Sequence, residues 1–592
     1  MKAIILAAGF GNRMSPLTND THKTLLKVAG KSIIDRILDS LGRNNVIDIV
    51  LVTGYKNEEL VNHVLSNYPG FNFQFVHNSK YRETNNIFSL ALAFQEITFD
   101  QDILLIESDL IYKEGVIETA INSKYENVAL VSPYVIGLDG TVVQVLDNQI
   151  TNIFPPHLQD EKFNLYDKFK TLNIYKFSKE FCIGEFNKLL VYYANTIDDN
   201  CYYELILGIL IYMQKKAIHC EIIQNENWVE VDDPNDIENA EFVFDEKNRI
   251  NILENSFGGY WNYDIIDFCF IRNMYFPTKS MLAEISNNLV DLLTNYGSKQ
   301  FILNKKLSYV LQINPERLIV LNGAAQVYPI LRNLFANKKA LIPSPTFGEY
   351  NRIFDKIELY NDDGEYDLEN KFSNVEIVVI VNPNNPTGTI ISTDKIAAYI
   401  RENPNKIFII DESFIEFSGQ LSIINIIETE SLKNVLVIRS MSKNYGLPGV
   451  RLGFVYTLNN ELYANISSNI PIWNLNSISE FYLEIILKNK RSLSISFEKT
   501  KTDRDNFIRE LKCIKYINRV FESGANFILF NINNELYKSS DLANYLLKKH
   551  SIYIKDVTDK FDKSEFMYYR VAVRLPNENS ILINSINAYF KN

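Results

Sequence analysis

The sequence predicts an α/β protein built as two domains, and three observations predict it. The chain has 592 residues, several times the usual domain size, so at least two cores are expected. Short apolar runs ending in glycine or acidic residues alternate with stretches of helical apolar spacing, the rhythm of open sheets that bind ligands at strand C-terminal ends. At Phe244-Asp-Glu-Lys-Asn-Arg249 the apolar periodicity gives way to a short charged run, which divides residues 1–245 from residues 250–592.

The elements follow in order. Lys2 to Ala8 is a continuous apolar run, too short for a secretory signal and leading straight into Gly-Phe-Gly-Asn-Arg, and reads as a buried central parallel strand. Val46 to Thr53, Phe73 to His77 and Ile103 to Ser108 read as further strands, with helical spacing over Ser32 to Leu41, Glu58 to Leu65 and Asn86 to Gln95. Tyr202 to Tyr212 fits a buried helix, and another helix begins near Pro234. In the second half, Leu318 to Leu321 is strand-like and opens a helical pattern, and the strand beginning at Ile407 ends at Asp411.

Composition excludes several classes. Hydrophobic residues at 46% and charged residues at 22% are ordinary globular values, which argues against a disordered or fibrous chain. A net charge of −12 repels polyanions and argues against nucleic acid as a partner. Five cysteines without a C-x-x-C pair read as reduced thiols of a cytoplasmic protein, and six histidines without H-E-x-x-H spacing leave any metal to carboxylates. No apolar stretch approaches the roughly 20 residues that span a bilayer, so no membrane is expected.

The loop Leu6-Ala-Ala-Gly-Phe-Gly-Asn-Arg-Met14 places small residues where backbone N–H groups can approach a triphosphate. Leu6, Ala7, Ala8, Gly9, Gly11 and Asn12 would line a nucleotide, while Arg13 and Lys23 neutralise departing pyrophosphate. A lone G-x-G is weak evidence, and the third glycine of the dinucleotide fingerprint is missing. Asp109 follows an apolar strand, and Glu230 and Asp232 alternate onto one strand face, so these three carboxylates are candidate Mg²⁺ ligands. The alternative is that Asp232 and Asp233 cap the helix at Pro234.

With Pro16-Leu-Thr18 and Lys23, this loop resembles the signature of sugar-phosphate and phosphocholine nucleotidyltransferases, which implies a Rossmann-like, GT-A-like domain. His22 stands where that family has proline. Asn78 to Leu90 and Cys201-Tyr-Tyr-Glu204 resemble the acceptor-side segments of phosphocholine cytidylyltransferases. That resemblance implies that Asn85, Asn86 and Glu204 meet the acceptor, Glu204 at an ammonium, with Tyr202 or Tyr203 adding a cation–π face. Both tyrosines fit a helix core equally well.

In the second half, Arg439 to Arg451 spaces Lys443 between the hydroxyls of Ser440 and Ser442 and the distal Arg451. A lysine that condenses with an aldehyde needs partial desolvation, and the hydroxyls and arginine suit a dianionic phosphate. Alone, the segment reads equally as a basic loop. It resembles the pyridoxal-phosphate lysine motif of class I/II aminotransferases, near the histidinol-phosphate aminotransferases and threonine-phosphate decarboxylases. The resemblance covers residues 250–592 and implies a fold-type I enzyme using pyridoxal 5′-phosphate. Carried over residue by residue, it sends the N–H groups of Ala324 and Ala325 to the cofactor phosphate and stacks Phe347 on the ring. Asn385 goes to the 3′-oxygen and Asp411 to the pyridine nitrogen. Tyr296 serves the phosphate of the other subunit in a homodimer, and Arg570 binds a substrate anion. Phe414 stands where many relatives have tyrosine.

Both halves together resemble bifunctional phosphonate cytidylyltransferase/2-aminoethylphosphonate transaminase proteins. The resemblance implies amination of phosphonoacetaldehyde by an amino-acid donor, then transfer of CMP from CTP to 2-aminoethylphosphonate. Two alternatives stand beside it. One is phosphocholine or sugar-phosphate activation joined to a histidinol-phosphate-type aminotransferase or a threonine-phosphate-type decarboxylase. The other is a regulator with an inactive aminotransferase fold, which would carry a helix-turn-helix where this chain has an acidic α/β domain.

Overall fold

The computed structural model describes residues 1–592 except 136–137, 161–162, 216, 363–367, 534–541, 562–564 and 592. The chain divides into two compact units, Met1–Asp264 and Ile265–Asn592. The helix Arg249–Ser256 follows the charged run and still belongs to the first unit. Leu253 is buried, and the Arg249 guanidinium donates to the carbonyls of Phe242 and Val243 at 2.7 and 2.8 Å.

In the first unit, nine strands among the described residues form one sheet. Asn72–His77, Asp48–Thr53, Lys2–Ala7 and Ile103–Glu107 lie side by side and parallel; Phe169–Phe177 then joins Ile103–Glu107 antiparallel and the sheet continues through Val128–Pro133. The apolar run at the N-terminus is buried on both faces. Ile4 and Leu6 pack into one core with Val50, Val52 and Leu105, whereas Ala3 and Ile5 pack into another with Ile49, Leu51 and Ile106. The helix Ile33–Arg43 covers the second face with Ile33, Ile34, Ile37, Leu38 and Leu41, and Ser32 caps it by accepting from the Asp35 N–H at 3.2 Å.

In the second unit, seven strands form a sheet in the order Leu318–Asn322, Leu452–Tyr456, Val435–Ser440, Ile407–Asp411, Ile377–Val381, Lys339–Ser344, Lys356–Asn361. Only Leu452–Tyr456 runs antiparallel to its neighbours in that sheet. Cores on both faces bury the strand residues, Val437 and Ile410 on one side, Leu436 and Ile409 on the other. A four-stranded antiparallel sheet, Ile517–Val520, Phe527–Asn533, Phe566–Ala572 and Lys555–Asp556, carries Arg570.

Candidate active sites

In the first unit the functional side chains gather where the parallel strands end. Gly11 adopts the left-handed conformation (φ 64°) and starts the short 3₁₀ turn Asn12–Met14 that presents Arg13. His22, at the proline position, is buried. Its ring meets the carbonyl of Ala7 at 3.1 Å and Thr24 Oγ1 at 2.8 Å, so it ties the Lys23 turn to the end of the first strand. Burial lowers its pKa to about 4, leaving the ring neutral.

Lys23 Nζ lies 3.0 Å from Asp232 Oδ1 and 3.8 Å from Asp109 Oδ2, and Arg13 reaches Asp232 at 2.8 Å and Asp139 at 3.1 Å. Burial opposes the Lys23 charge, yet Asp109 and Asp232 hold its pKa above the ordinary value. Burial also works against the Asp232 carboxylate, and Lys23 and Arg13 overcome it to hold that pKa low.

The strand ends at Glu230, so Asp232 is not on a strand face with it. Instead Asp233 and Asp236 form a capping box on the helix Pro234–Phe244. Asp236 Oδ2 accepts from the backbone N–H of Asp232 at 2.7 Å and of Asp233 at 2.8 Å, which fixes where the Asp232 carboxylate points.

These residues fit a divalent cation. Carboxylate oxygens of Asp139, Glu230 and Asp232 lie within 4.8 Å of one another, and Asp109 Oδ1 is buried without a partner. Burial and the neighbouring carboxylates raise Glu230 to about 7, with Lys170 Nζ 3.3 Å away opposing them. The sequence reading missed Asp139 and Lys170, which stand alone in the chain without a motif.

Asn85 caps the helix Asn86–Glu96 through the Asn86 N–H. Asn86 donates to Glu107 at 3.0 Å and accepts from the Tyr203 N–H at 3.0 Å. Glu204 is 2% exposed with Oε2 unpartnered. Burial raises both carboxyls, Glu204 to about 7 and Glu107 well above the usual range, where repulsion from Glu204 adds to it. Tyr203 belongs to the core, against Tyr175, whereas Tyr202 is part-exposed and feels the charges of Glu204, Glu107 and Arg13. Tyr203, although in the core, also feels Glu107 and Glu204, so both tyrosines border this region. Glu107 was legible only as the first acidic residue of Ile106-Glu-Ser-Asp109.

In the second unit Lys443 lies in a short helical turn, Met441–Asn444, directly after the strand Val435–Ser440. Its Nζ lies 4.7 Å from the Phe414 ring centre and 5.7 Å from that of Phe347. Burial lowers its pKa to about 8; Asp411 opposes this and Arg570 and Arg451 add to it. Asp411 is buried at its strand end, accepting from the Tyr350 hydroxyl at 2.6 Å and the Ser413 N–H at 2.9 Å. Arg570 donates to Asn385 Oδ1 at 2.9 Å and to the Cys269 carbonyl at 2.6 Å, and its Nε is buried without a partner.

The loop geometry fits a phosphate-bearing cofactor. A Cβ on Gly323 would sit 2.6 Å from Arg451 Nη2, and one on Gly453 would sit 2.5 Å from the Ala324 nitrogen, so both glycines permit a close cradle. The 3₁₀ turn Ala324–Gln326 begins there and leads into the helix Val327–Phe335. Ser440 leads into the lysine turn without a side-chain capping bond. The Ser442 hydroxyl is engaged with the Leu452 backbone, 3.1 Å from its nitrogen and 3.2 Å from its oxygen, and so ties the turn to the next strand.

Tyr296 is 81% exposed and stacks on Trp473 at 4.6 Å. Three residues around Lys443 went unread in the sequence. Tyr350 meets Asp411, Glu416 pairs with Arg439 and accepts from Asn444 on either side of Lys443, and Lys560 donates to the Thr346 carbonyl at 2.8 Å beside Phe347.

Comparison with known proteins agrees with this division. Residues 280–560 match the family described as aminotransferase class I and II, and residues 2–135 match the family described as nucleotidyl transferase. Across both units the chain is 27% identical to a CMP-5′-(3-aminopropyl)phosphonate synthase of Streptomyces rubellomurinus, covering 99% of this chain and 94% of that one. It is 30% identical to an L-serine phosphate decarboxylase of Campylobacter jejuni, over 55% of this chain and 89% of the relative. A histidinol-phosphate aminotransferase of Clostridium novyi is 32% identical over 52% of this chain and 87% of its own. Among solved structures, the histidinol-phosphate aminotransferase from Clostridium acetobutylicum superposes with a TM-score of 0.50 at 27% identity, covering 55% of this chain and 99% of that one.

Proposed function

We infer, from a chain that belongs to the class I and II aminotransferase family in its C-terminal unit and carries a nucleotidyl transferase domain before it, that one protein makes and activates an aminoalkylphosphonate. The C-terminal unit aminates phosphonoacetaldehyde from an amino-acid donor. The N-terminal unit transfers CMP from CTP to the resulting 2-aminoethylphosphonate and releases pyrophosphate. One observation carries this reading: the relative matched along both units is named for a CMP-linked aminoalkylphosphonate.

The acceptor end supports an amine. Glu107 and Glu204 are both held above the ordinary carboxylate range, and an ammonium arriving between them relieves their burial and their repulsion together. Arg13 and Lys23 neutralise the departing pyrophosphate, and Asp109, Glu230 and Asp232 would hold the magnesium ion, the last two converging with Asp139. The ion supplies charge neutralisation at the α-phosphate.

In the second unit, bound pyridoxal phosphate supplies an electron sink for a carbanion beside the amine nitrogen. Lys443 Nζ, with its lowered pKa, carries the proton; Asp411, oriented by Tyr350, keeps a proton on the pyridine nitrogen; Arg570 fixes the substrate anion beside Asn385. Ala324, Ala325, Ser440 and Arg451 hold the cofactor phosphate, and the exposed Tyr296 serves the partner's phosphate in a cytoplasmic homodimer.

A second reading is favoured by the L-serine phosphate decarboxylases among the relatives: the same lysine and arginine would decarboxylate a phosphonate-bearing amino acid. Release of carbon dioxide without consumption of an amino donor separates the two. The acceptor assignment is tested by competing 2-aminoethylphosphonate with phosphocholine and glucose 1-phosphate in the presence of CTP. The aminophosphonate should win, and Glu204→Gln should lower its kcat/KM roughly tens- to several thousandfold, the effect of losing a desolvated charge pair of about 2–5 kcal/mol. Preference for either competitor removes the phosphonate assignment.

A further inference from the structure

A cavity of about 450 Å³ opens in the first unit, away from the catalytic loop. It lies between the second half of the helix Ile33–Arg43, the residues that follow the short strand Leu110–Tyr112, and Phe244 at the end of its helix. None of Arg13, Lys23, Asp109 or Asp232 lines it. Its volume is in the range of small-molecule sites, roughly 300–1,000 Å³.

The lining is cationic. Lys31, Arg36, Arg43 and Lys113 contribute four positive side chains against one carboxylate, Glu114. Lys31 pairs with Asp39, and Arg43 pairs with Glu114 at 3.2 Å through a largely exposed carboxylate, whereas Lys113 has no ion pair among the described residues.

The polar groups point to a ligand more directly than the charge does. Arg36 gives one nitrogen to the Val28 carbonyl at 2.6 Å, but its Nε is buried without a partner. Ser40 Oγ and Tyr112 Oη, on side chains that are 2% and 6% exposed, are also buried and unpartnered. All three donors belong to residues that line the cavity, and leaving them without acceptors is expensive because buried polar groups are ordinarily bonded, although Tyr112 also feels the Glu118 carboxylate. Each is satisfied by an acceptor oxygen, and an anionic acceptor also answers the surrounding cations. The Arg36 guanidinium lies 5.3 Å from the Phe244 ring centre, so a flat aromatic and guanidinium surface borders the donors. The cavity is larger than a single tetrahedral anion fills.

We propose that this cavity is a second, non-catalytic binding site for a nucleotide, with Lys113, Arg36, Ser40 and Tyr112 meeting its phosphate oxygens and the Phe244 side bordering its base. None of its lining residues belongs to the Arg13 and Lys23 cluster, so binding here does not require those side chains.

The test uses the full-length protein and the reactivity of Lys113. Acylation of lysines is quantified by mass spectrometry with and without CTP, ATP and inorganic tripolyphosphate, in wild type and in a Lys23→Ala variant whose catalytic site is impaired. A nucleotide at about ten times its dissociation constant should protect Lys113 about tenfold in both proteins. Tyr112→Phe, which keeps the ring and removes the hydroxyl, should raise the half-protecting concentration several-fold. Protection lost in Lys23→Ala would place the nucleotide at the catalytic site only and overturn the proposal. Equal protection by tripolyphosphate would assign the cavity to a bare polyphosphate, and reactivity unchanged by all three probes would assign it to solvent; either overturns the nucleotide site. The wild-type measurement stands even if Tyr112→Phe fails to fold.

Discussion

At the scale of single residues, the chemistry proposed for the second unit centres on Lys443. Its pKa near 8 lies below the ordinary lysine value because burial disfavours the ammonium, so the unfolded chain binds more protons between about pH 8 and 10.5. Apoprotein stability therefore gains from this group as pH rises through that window. Reconstitution with pyridoxal phosphate should speed up about tenfold per pH unit below 8 and level off above it, as neutral amine accumulates; a profile still climbing past pH 10 contradicts the assignment. Lys443→Ala should lose both amination and the visible band that borohydride bleaches. In the first unit, Asp109→Asn or Asp232→Asn should reduce nucleotidyl transfer by roughly two orders of magnitude or more. Amination by the same protein should continue, and a chelator should reproduce this split. A parallel fall of both rates would mean that these carboxylates support folding.

At the scale of elements, the helix Pro234–Phe244 shows how a cap positions a charge. Asp233→Ala removes the acceptor for the Asn235 N–H, 2.7 Å away, and should cost about 1 kcal/mol, lowering the first unit's thermal transition by about 2–4 °C. Transfer should hold within a few-fold, because Asp236 still binds the Asp232 backbone. Asp236→Ala should lose stability and also about tenfold in transfer. Equal activity in the two variants would sever the cap from catalysis. The helix start was legible from Pro234 and the acidic cluster, whereas the placing of Asp232 on a strand was not, since period-two alternation cannot reveal that a capping box ends the ladder. The buried runs Lys2–Ala7, Ile103–Glu107 and Ile407–Asp411 were legible because strands covered on both faces leave unbroken apolar stretches. Lys443, Asp411 and Arg570 were legible from motif resemblance. Tyr350, Glu107, Lys170 and Lys560 were not, because each meets its partner only through long-range folding: Tyr350 and Asp411 are 61 positions apart, Lys560 and Thr346 214.

At the scale of the whole molecule, two units with separate cores each hold a charged site at the ends of parallel strands, and the function assigned to the chain depends on their sharing one amine. The units differ in what they present to it. The first offers buried carboxylates at Glu107 and Glu204, suited to an ammonium; the second offers Arg570 beside Lys443, suited to an anion with a carbonyl at its other end. A zwitterionic aminoalkylphosphonate satisfies both descriptions, whereas the phosphate of an uncharged sugar leaves the buried carboxylates without a cation. The most direct measurement is ³¹P NMR of full-length protein supplied with phosphonoacetaldehyde, an amino-acid donor, CTP, pyridoxal phosphate and magnesium. The account predicts a CMP-linked 2-aminoethylphosphonate signal that requires every component. With Lys443→Ala the reaction should stop at the aldehyde, and with Asp232→Asn at the free amine. A CMP-linked product formed without the amino donor, or free 2-aminoethylphosphonate left unreacted beside CTP in the wild type, would contradict it.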